Sequence, residues 1–200
     1  VLIKENEKEK NHTPKERKDY PKYVISCFEW VESLTMAAIA VVLIFTFLFR
    51  VVAVDGASME PTLQSGDRLI VSSLLYRPEP GDVIVLKRTL GLEKPIVKRV
   101  IAVAGQEVDI DYETGNVYVD GELLDESAYT ENGTTFRPLI EGDVLEFPQT
   151  VPEGHLFVLG DNREVSEDSR CATVGMVDER YLLGEAVAVV FPIERMKGLL

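Results

Sequence analysis

From Ser33 to Phe49 the chain carries no charged side chain: it reads SLTMAAIAVVLIFTFLF, seventeen residues in all. No other stretch limits the fold as strongly. A segment that is apolar on every side has no solvated face, so it cannot lie on a soluble domain as an amphipathic helix does. Seventeen residues is the short end of what a hydrocarbon layer about 30 Å thick requires of a helix. Val24–Phe28 extends the apolar stretch upstream, and Trp30 suits the headgroup level. Glu29 and Glu32, about one turn apart, are placed at the interface. A buried core helix would show an amphipathic period, and none is visible. A cleaved leader would have a shorter charged start and a shorter apolar core. The stretch therefore reads as one transmembrane helix over residues 24–49.

The charges on either side orient it. Residues 1–23 hold seven Lys/Arg and five Asp/Glu, whereas residues 51–200 hold thirteen and twenty-seven. Only Arg50 and Arg68 fall in the first twenty residues beyond the helix. Cytoplasmic flanks attract Lys and Arg, so residues 1–23 are expected to form a polar, disordered cytoplasmic arm and residues 50–200 an extracytoplasmic domain. The net charge of −13 argues against a nucleic-acid partner, which would meet a basic face. An apolar content of 46% is too high for a disordered chain. Two cysteines exclude a disulfide-stapled scaffold and a four-cysteine zinc site. Cys27 and Cys171 fall on opposite sides of the membrane and cannot pair within one chain.

Beyond the helix the pattern changes to short Val- and Ile-rich stretches. Strands are expected at Val51–Val54, Arg68–Ser72, Val83–Leu86, Ile96–Ala104, Glu107–Ile110, Val117–Val119, Leu156–Leu159 and Ala186–Phe191. Turn signals separate them: Ser65-Gly66-Asp67, Glu79-Pro80-Gly81-Asp82, Thr114-Gly115-Asn116 and Asp120-Gly121. The last suits a two-residue hairpin turn, where both positions need positive φ. Asp178–Leu183 has a weak helical look, and Thr130–Thr150 reads as a long polar surface excursion. Many short strands with tight turns point to a mainly β domain, an antiparallel barrel-like fold rather than a parallel α/β one.

Histidine is scarce: His12 lies in the arm, and His155 opens the strand HLFVL as a partly buried edge residue. A Ser-His-Asp triad is therefore poorly supplied. No His/Cys/Asp cluster has metal-ligand spacing, and no glycine-rich phosphate loop is present, so neither metal nor cofactor is expected. What remains is a serine and a lysine. Ser58, in DGASMEPTL, stands between small residues and a proline-containing turn. Lys98, in PIVKRVIAVAG, forms a charged pair with Arg99 inside an apolar strand. Alternation sends Lys98 to the face of Ile96 and Val100, and Arg99 to that of Val97 and Ile101. Loss of solvation favours the neutral amine, and a neutral amine can take a proton from a serine hydroxyl. A lysine snorkelling from an edge strand is the bland alternative. Gly160–Arg170, GDNREVSEDSR, reads by composition as a rigid loop of hydrogen bonds and ion pairs.

SMEPTL at 58–63, GDRLIV at 66–71, KRVIAVAG at 98–105 and GDNREVSEDSR at 160–170, in this order after an N-terminal apolar helix, resemble bacterial signal peptidase I. The likeness covers most of residues 29–192. It implies a serine peptidase with a Ser/Lys dyad on a mainly antiparallel β fold, cutting signal peptides from exported preproteins at the outer face of the cytoplasmic membrane. On this likeness Ser58 is the nucleophile and Lys98 the general base. Ser166 orients the lysine amine. Asp168 and Arg170 form an ion pair bracing the loop, and Asp161 and Arg163 give similar support. Met59 packs by the substrate cleft, and small pockets near Val52, Val54, Leu63 and Val97 accept the small side chains of an A-x-A-like site. Gly56 stands where many diderm relatives have a serine that helps the oxyanion hole. The hole then rests on the Ser58 N–H, with a water or the Gly56 backbone, a pattern similar to the enzymes of monoderm bacteria. Ala102 and Ala104 replace the usual Gly and Pro downstream of the lysine. The partners implied are secretory preproteins and membrane lipids; oligomeric state is not legible. The alternatives are a dedicated maturation peptidase of the same fold, or a non-catalytic assembly factor, which would have lost the dyad.

Overall fold

The computed structural model describes residues 21–73, 76–87, 95–138 and 143–199. Of the expected cytoplasmic arm, residues 1–20 lie outside the described residues. The chain divides into two compact units, with the boundary at Val42/Leu43. The described residues of the first, 21–42, are helical from Lys22 onward. Helix α1 spans Lys22–Leu48, begins just after Pro21, and is long and apolar enough to cross a membrane. Its large side chains, Phe28, Trp30, Leu34 and Ile39 among them, are exposed rather than packed. At 1.5 Å per residue, 27 residues extend about 40 Å, more than a hydrocarbon layer requires.

The second unit is built from antiparallel strands. They are β1 Phe49–Ala53, β2 Arg68–Ser72, β3 Val83–Leu86, β4 Ile96–Val103, β5 Glu107–Asp111, β6 Asn116–Val119, β7 Glu122–Leu123, β8 Gln149–Thr150, β9 His155–Leu159, β10 Val177–Asp178, β11 Leu182–Phe191 and β12 Lys197–Gly198. One sheet runs β1-β2-β11-β3-β4-β9-β10, with β12 also on β11; a smaller one runs β7-β6-β5-β8. The fold is mainly β, an antiparallel half-barrel, as the strand and turn pattern predicts. The Asp120-Gly121 turn takes φ of 52° and 79°, as a two-residue hairpin requires.

Three buried apolar clusters hold the sheets together. Val54, Met59, Leu63, Leu69, Val85 and Val97 belong to the first. Ile101, Val108, Phe157 and Leu159 belong to the second, Ile84, Val100, Leu156 and Val158 to the third. His155 is half-buried at the start of β9, its Nδ1 3.0 Å from the Glu153 carbonyl.

Two expectations are corrected. Asp178–Leu183 is not a helix: it holds one 3-10 turn, Glu179–Tyr181, between β10 and β11, capped by the Asp178 carboxylate on the Arg180 N–H. Thr130–Thr150 is not all surface. Thr130 and Thr135 are buried because they line a buried ion pair described below, and Val144 bridges to Cys171.

Candidate active site

The chain leaves β1 into a turn that begins at Ser58. The Glu60 N–H donates to the Ala57 carbonyl at 3.1 Å, and the Leu63 N–H to that of Met59 at 2.8 Å. Met59 and Leu63 are buried, so the turn is pinned to the core while Ser58 stays half-exposed. The segment is closed behind by the Val54 N–H on the Asp67 carbonyl and the Gly66 N–H on that of Val54. Arg195 clamps the Asp67 carboxylate at 2.9 and 3.0 Å. Burial raises the Asp67 pKa, but the hydrogen bonds from Arg195 and from the Gln64 N–H bring it below the ordinary value. Gly56 has φ +103°, a conformation a side chain resists, and its N–H donates to Ser65 Oγ at 3.3 Å.

Lys98 lies in the middle of β4, opposite Ile84 of β3, and only 2% of it is exposed. Burial pushes its amine pKa well below the ordinary value, the Arg170 charge adds to this, and Asp168 opposes both. Arg99 turns instead to the Gly160–Arg170 loop, where its Nε and Nη2 donate to the Asp161 carboxylate at 2.8 and 2.7 Å.

That loop leaves β9 and turns back against Ser58. The Asn162 N–H donates to the Ser58 carbonyl at 3.1 Å. Gly160 sits where no side chain fits: a Cβ there would lie 2.2 Å from Ser166 Oγ and 2.5 Å from the Ser58 carbonyl oxygen. Ser58 and Ser166 thus converge on one glycine. Ser166 is 1% exposed, and its buried hydroxyl faces the Asp168 carboxylate, whose pKa it helps to lower.

Among the described residues, two further buried ion pairs stiffen the loop. Arg170 grips Asp168 through Nε at 2.8 Å and Nη2 at 2.9 Å, and reaches the Arg163 and Phe136 carbonyls as well. Asp168 also accepts from the Gly160 N–H at 3.1 Å. Arg163 donates to the Gly160 carbonyl at 2.9 Å and to both Glu126 oxygens at 2.8 and 2.6 Å. It also bonds the Thr135 hydroxyl, and the Tyr129 ring is stacked by Arg99 at 4.2 Å. Asp161 and Arg163 therefore brace the loop through Arg99 and Glu126, not through one another. Glu126, Tyr129 and Thr135 are the residues that sequence reasoning missed. DESAY at 125–129 is an ordinary polar stretch and carries no sequence signal that marks them.

Of the expected cleft residues, Val54, Met59, Leu63 and Val97 share one cluster, with Val52 packed against it. The strand edges beside that cluster are open. β1 ends the large sheet, and β9 pairs with β4 only from Arg99 onward, so Ile96–Lys98 pair on one side alone among the described strands. Also among the described residues, no group of His, Cys, Asp and Glu is arranged to hold a metal ion.

A buried, deprotonable amine, a serine on a pinned turn and an open strand edge are the parts of a peptide-cleaving site. The family model described as "Signal peptidase, peptidase S26" matches residues 27–191. Signal peptidase I of Bacillus licheniformis is 36% identical over 180 residues, covering 86% of this chain and 92% of that protein. Signal peptidase I P of Bacillus subtilis subsp. natto is 33% identical over 175 residues, covering 84% and 91%. Signal peptidase IB of Staphylococcus aureus is 31% identical over 181 residues, covering 84% and 92%. With a family match over most of its length and relatives at this identity, the chain belongs to the S26 signal peptidases and is a serine endopeptidase.

Proposed function

We propose that this peptidase removes signal peptides from exported preproteins with a Ser58/Lys98 dyad, held at a membrane by α1. The reading is carried by the Ser58 carbonyl and the Ser166 hydroxyl meeting at Gly160, the residue after Leu159, which pairs with Arg99 next to the buried Lys98 whose pKa is lowered. The preprotein lies extended along the open edges of β1 and Ile96–Lys98, adding backbone hydrogen bonds. Small side chains at the first and third positions before the cut meet the apolar cluster of Val52, Val54, Met59, Leu63 and Val97, in an A-x-A-like manner.

Neutral Lys98 Nζ takes the Ser58 proton as Oγ attacks the scissile carbonyl carbon. The electron pair moves to the carbonyl oxygen, and the Ser58 backbone N–H stabilises that oxyanion. The ammonium of Lys98 then protonates the leaving amine, the C–N bond breaks, and an acyl-enzyme remains. Lys98, neutral again, takes a proton from a water that attacks the acyl carbon, and passes it to Oγ as the acyl–Oγ bond breaks, restoring Ser58 and the neutral amine. Ser166 Oγ accepts a hydrogen bond from the lysine and holds its direction. The Asp168–Arg170 and Glu126–Arg163 pairs keep the loop in place.

In detergent, Ser58→Ala and Lys98→Ala are each expected to abolish cleavage of a preprotein while the folded spectrum is retained. Mass measurement of the wild-type product is expected to place the cut after an A-x-A-like site. Substantial activity in Lys98→Ala would sink the dyad.

A further inference from the structure

A cavity of about 270 Å³ borders the Ser58 turn and shares no residue with β1, β2 or β4. It is smaller than the roughly 300–1,000 Å³ of a small-molecule pocket, so it is sized for one or two side chains. Its near wall is Glu60, two residues past Ser58, and Asn162, whose N–H holds the Ser58 carbonyl. Glu131 and Glu164 line it further out, both exposed.

Charge in this wall is uneven. Asp161 is neutralised by Arg99, Arg163 by Glu126, and Arg137 lies 3.6 Å from Glu146. Among the described residues Glu60, Glu131 and Glu164 make no ion pair, although the Arg195 charge acts on Glu60. Carboxylates outnumber cations in the lining, four (Glu60, Glu131, Asp161, Glu164) to two (Arg137, Arg163).

We infer that this cavity receives the preprotein segment following the cleaved bond, and that its carboxylates favour a lysine or arginine side chain there. The inference rests on the peptidase reading above and adds a charge preference on the mature side of the cut. A chain laid along β1 reaches Ser58 at its scissile bond; the next surface it meets is Glu60 and Asn162. A cation in the cavity is attracted by all three carboxylates, and an anion is repelled by all three. The groups are partly exposed, so each contribution is modest and falls with salt.

The test uses the full chain in detergent and preproteins identical except for Lys or Glu at one of the four positions after the cut, or at the second position before it. The expected result is a Lys-over-Glu ratio in kcat/KM of about threefold to tenfold at one of the mature positions, and near unity before the cut. In Glu131→Gln/Glu164→Gln the ratio is expected to fall below about twofold, and in Glu131→Lys/Glu164→Lys to invert. The ratio is internal to each variant, so a general loss of activity does not alter it. A flat ratio at every mature position, a preference only before the cut, or a preference that survives in the double Gln variant would each overturn the inference while the peptidase reading stands. If no preprotein is cleaved at all, the peptidase reading falls and this inference with it.

Discussion

In the proposed mechanism Lys98 serves chemistry at a cost in stability. A lysine that is 2% exposed must either be protonated in a poorly solvated site or give up its proton, and both cost free energy. Its pKa in the folded chain is below the ordinary 10.5, chiefly through burial. On the proposed dyad the active form is the neutral amine, so kcat/KM is expected to rise with pH through that lowered value and to level off above it. Stability follows the same group. Between the lowered folded value and about 10.5 the unfolded chain binds the proton that the folded chain has lost, so folding is favoured as pH rises through this window. Below the window the cost of burying Lys98 is present in full. Lys98→Met is therefore expected to be inactive yet more stable at neutral pH, by on the order of 1–2 kcal/mol or roughly 2–8 °C in Tm. That advantage should shrink as the melts are taken toward pH 10. A Met variant less stable than the wild type at pH 7 would show that the amine contributes a net favourable interaction. Lys98 was legible in the sequence because a charge in the middle of an apolar strand breaks its pattern. Glu126 was not, because an acid in a polar loop breaks no pattern, and its partner Arg163 is 37 positions away.

The element that decides the site is the loop after β9. It must present Gly160 to Ser58 while carrying two buried arginines, and each arginine is tolerated only because a carboxylate meets it. Glu126→Gln keeps the shape and some hydrogen bonding but removes the charge that compensates Arg163. The expected cost is about 2–4 kcal/mol, or roughly 5–15 °C in Tm, together with about a tenfold loss in kcat as the Gly160 carbonyl loses its fixed donor. Thermal melts and kcat on one preprotein read both. If stability falls and kcat does not, the pair holds the fold without positioning the site. The strands around this loop were legible where Val and Ile run between turn residues. The first third of β11 was not: Gly184, at φ +146°, interrupts the apolar run, and a side chain there would meet the Ser72 carbonyl at 2.2 Å. Gly184 is what lets β11 approach β2.

For the molecule as a whole, we propose that α1 and the flanking charges set which side of a membrane the peptidase unit occupies. A 27-residue helix with exposed apolar side chains is stable in lipid and aggregation-prone in water. The chain is expected to sediment with membranes and to resist extraction at alkaline pH. Seven Lys/Arg in residues 1–23 against two in the first twenty residues after the helix favour a cytoplasmic N-terminus. The net charge of residues 51–200, fourteen acids in excess of bases, does little to this choice, because Asp and Glu weigh little in it. External protease added to intact spheroplasts should therefore digest the peptidase unit and leave an N-terminal tag protected. Replacing all seven basic residues of the arm by Gln and adding four lysines directly after Arg50 should place a measurable fraction of molecules with the tag outside. Those molecules should fail to cleave exported preproteins even though Ser58 and Lys98 are intact, because the site then faces the compartment where the cut is not presented. Full protection of the tag in the recharged variant would show that orientation is fixed by the folded unit and not by the charges that flank the helix.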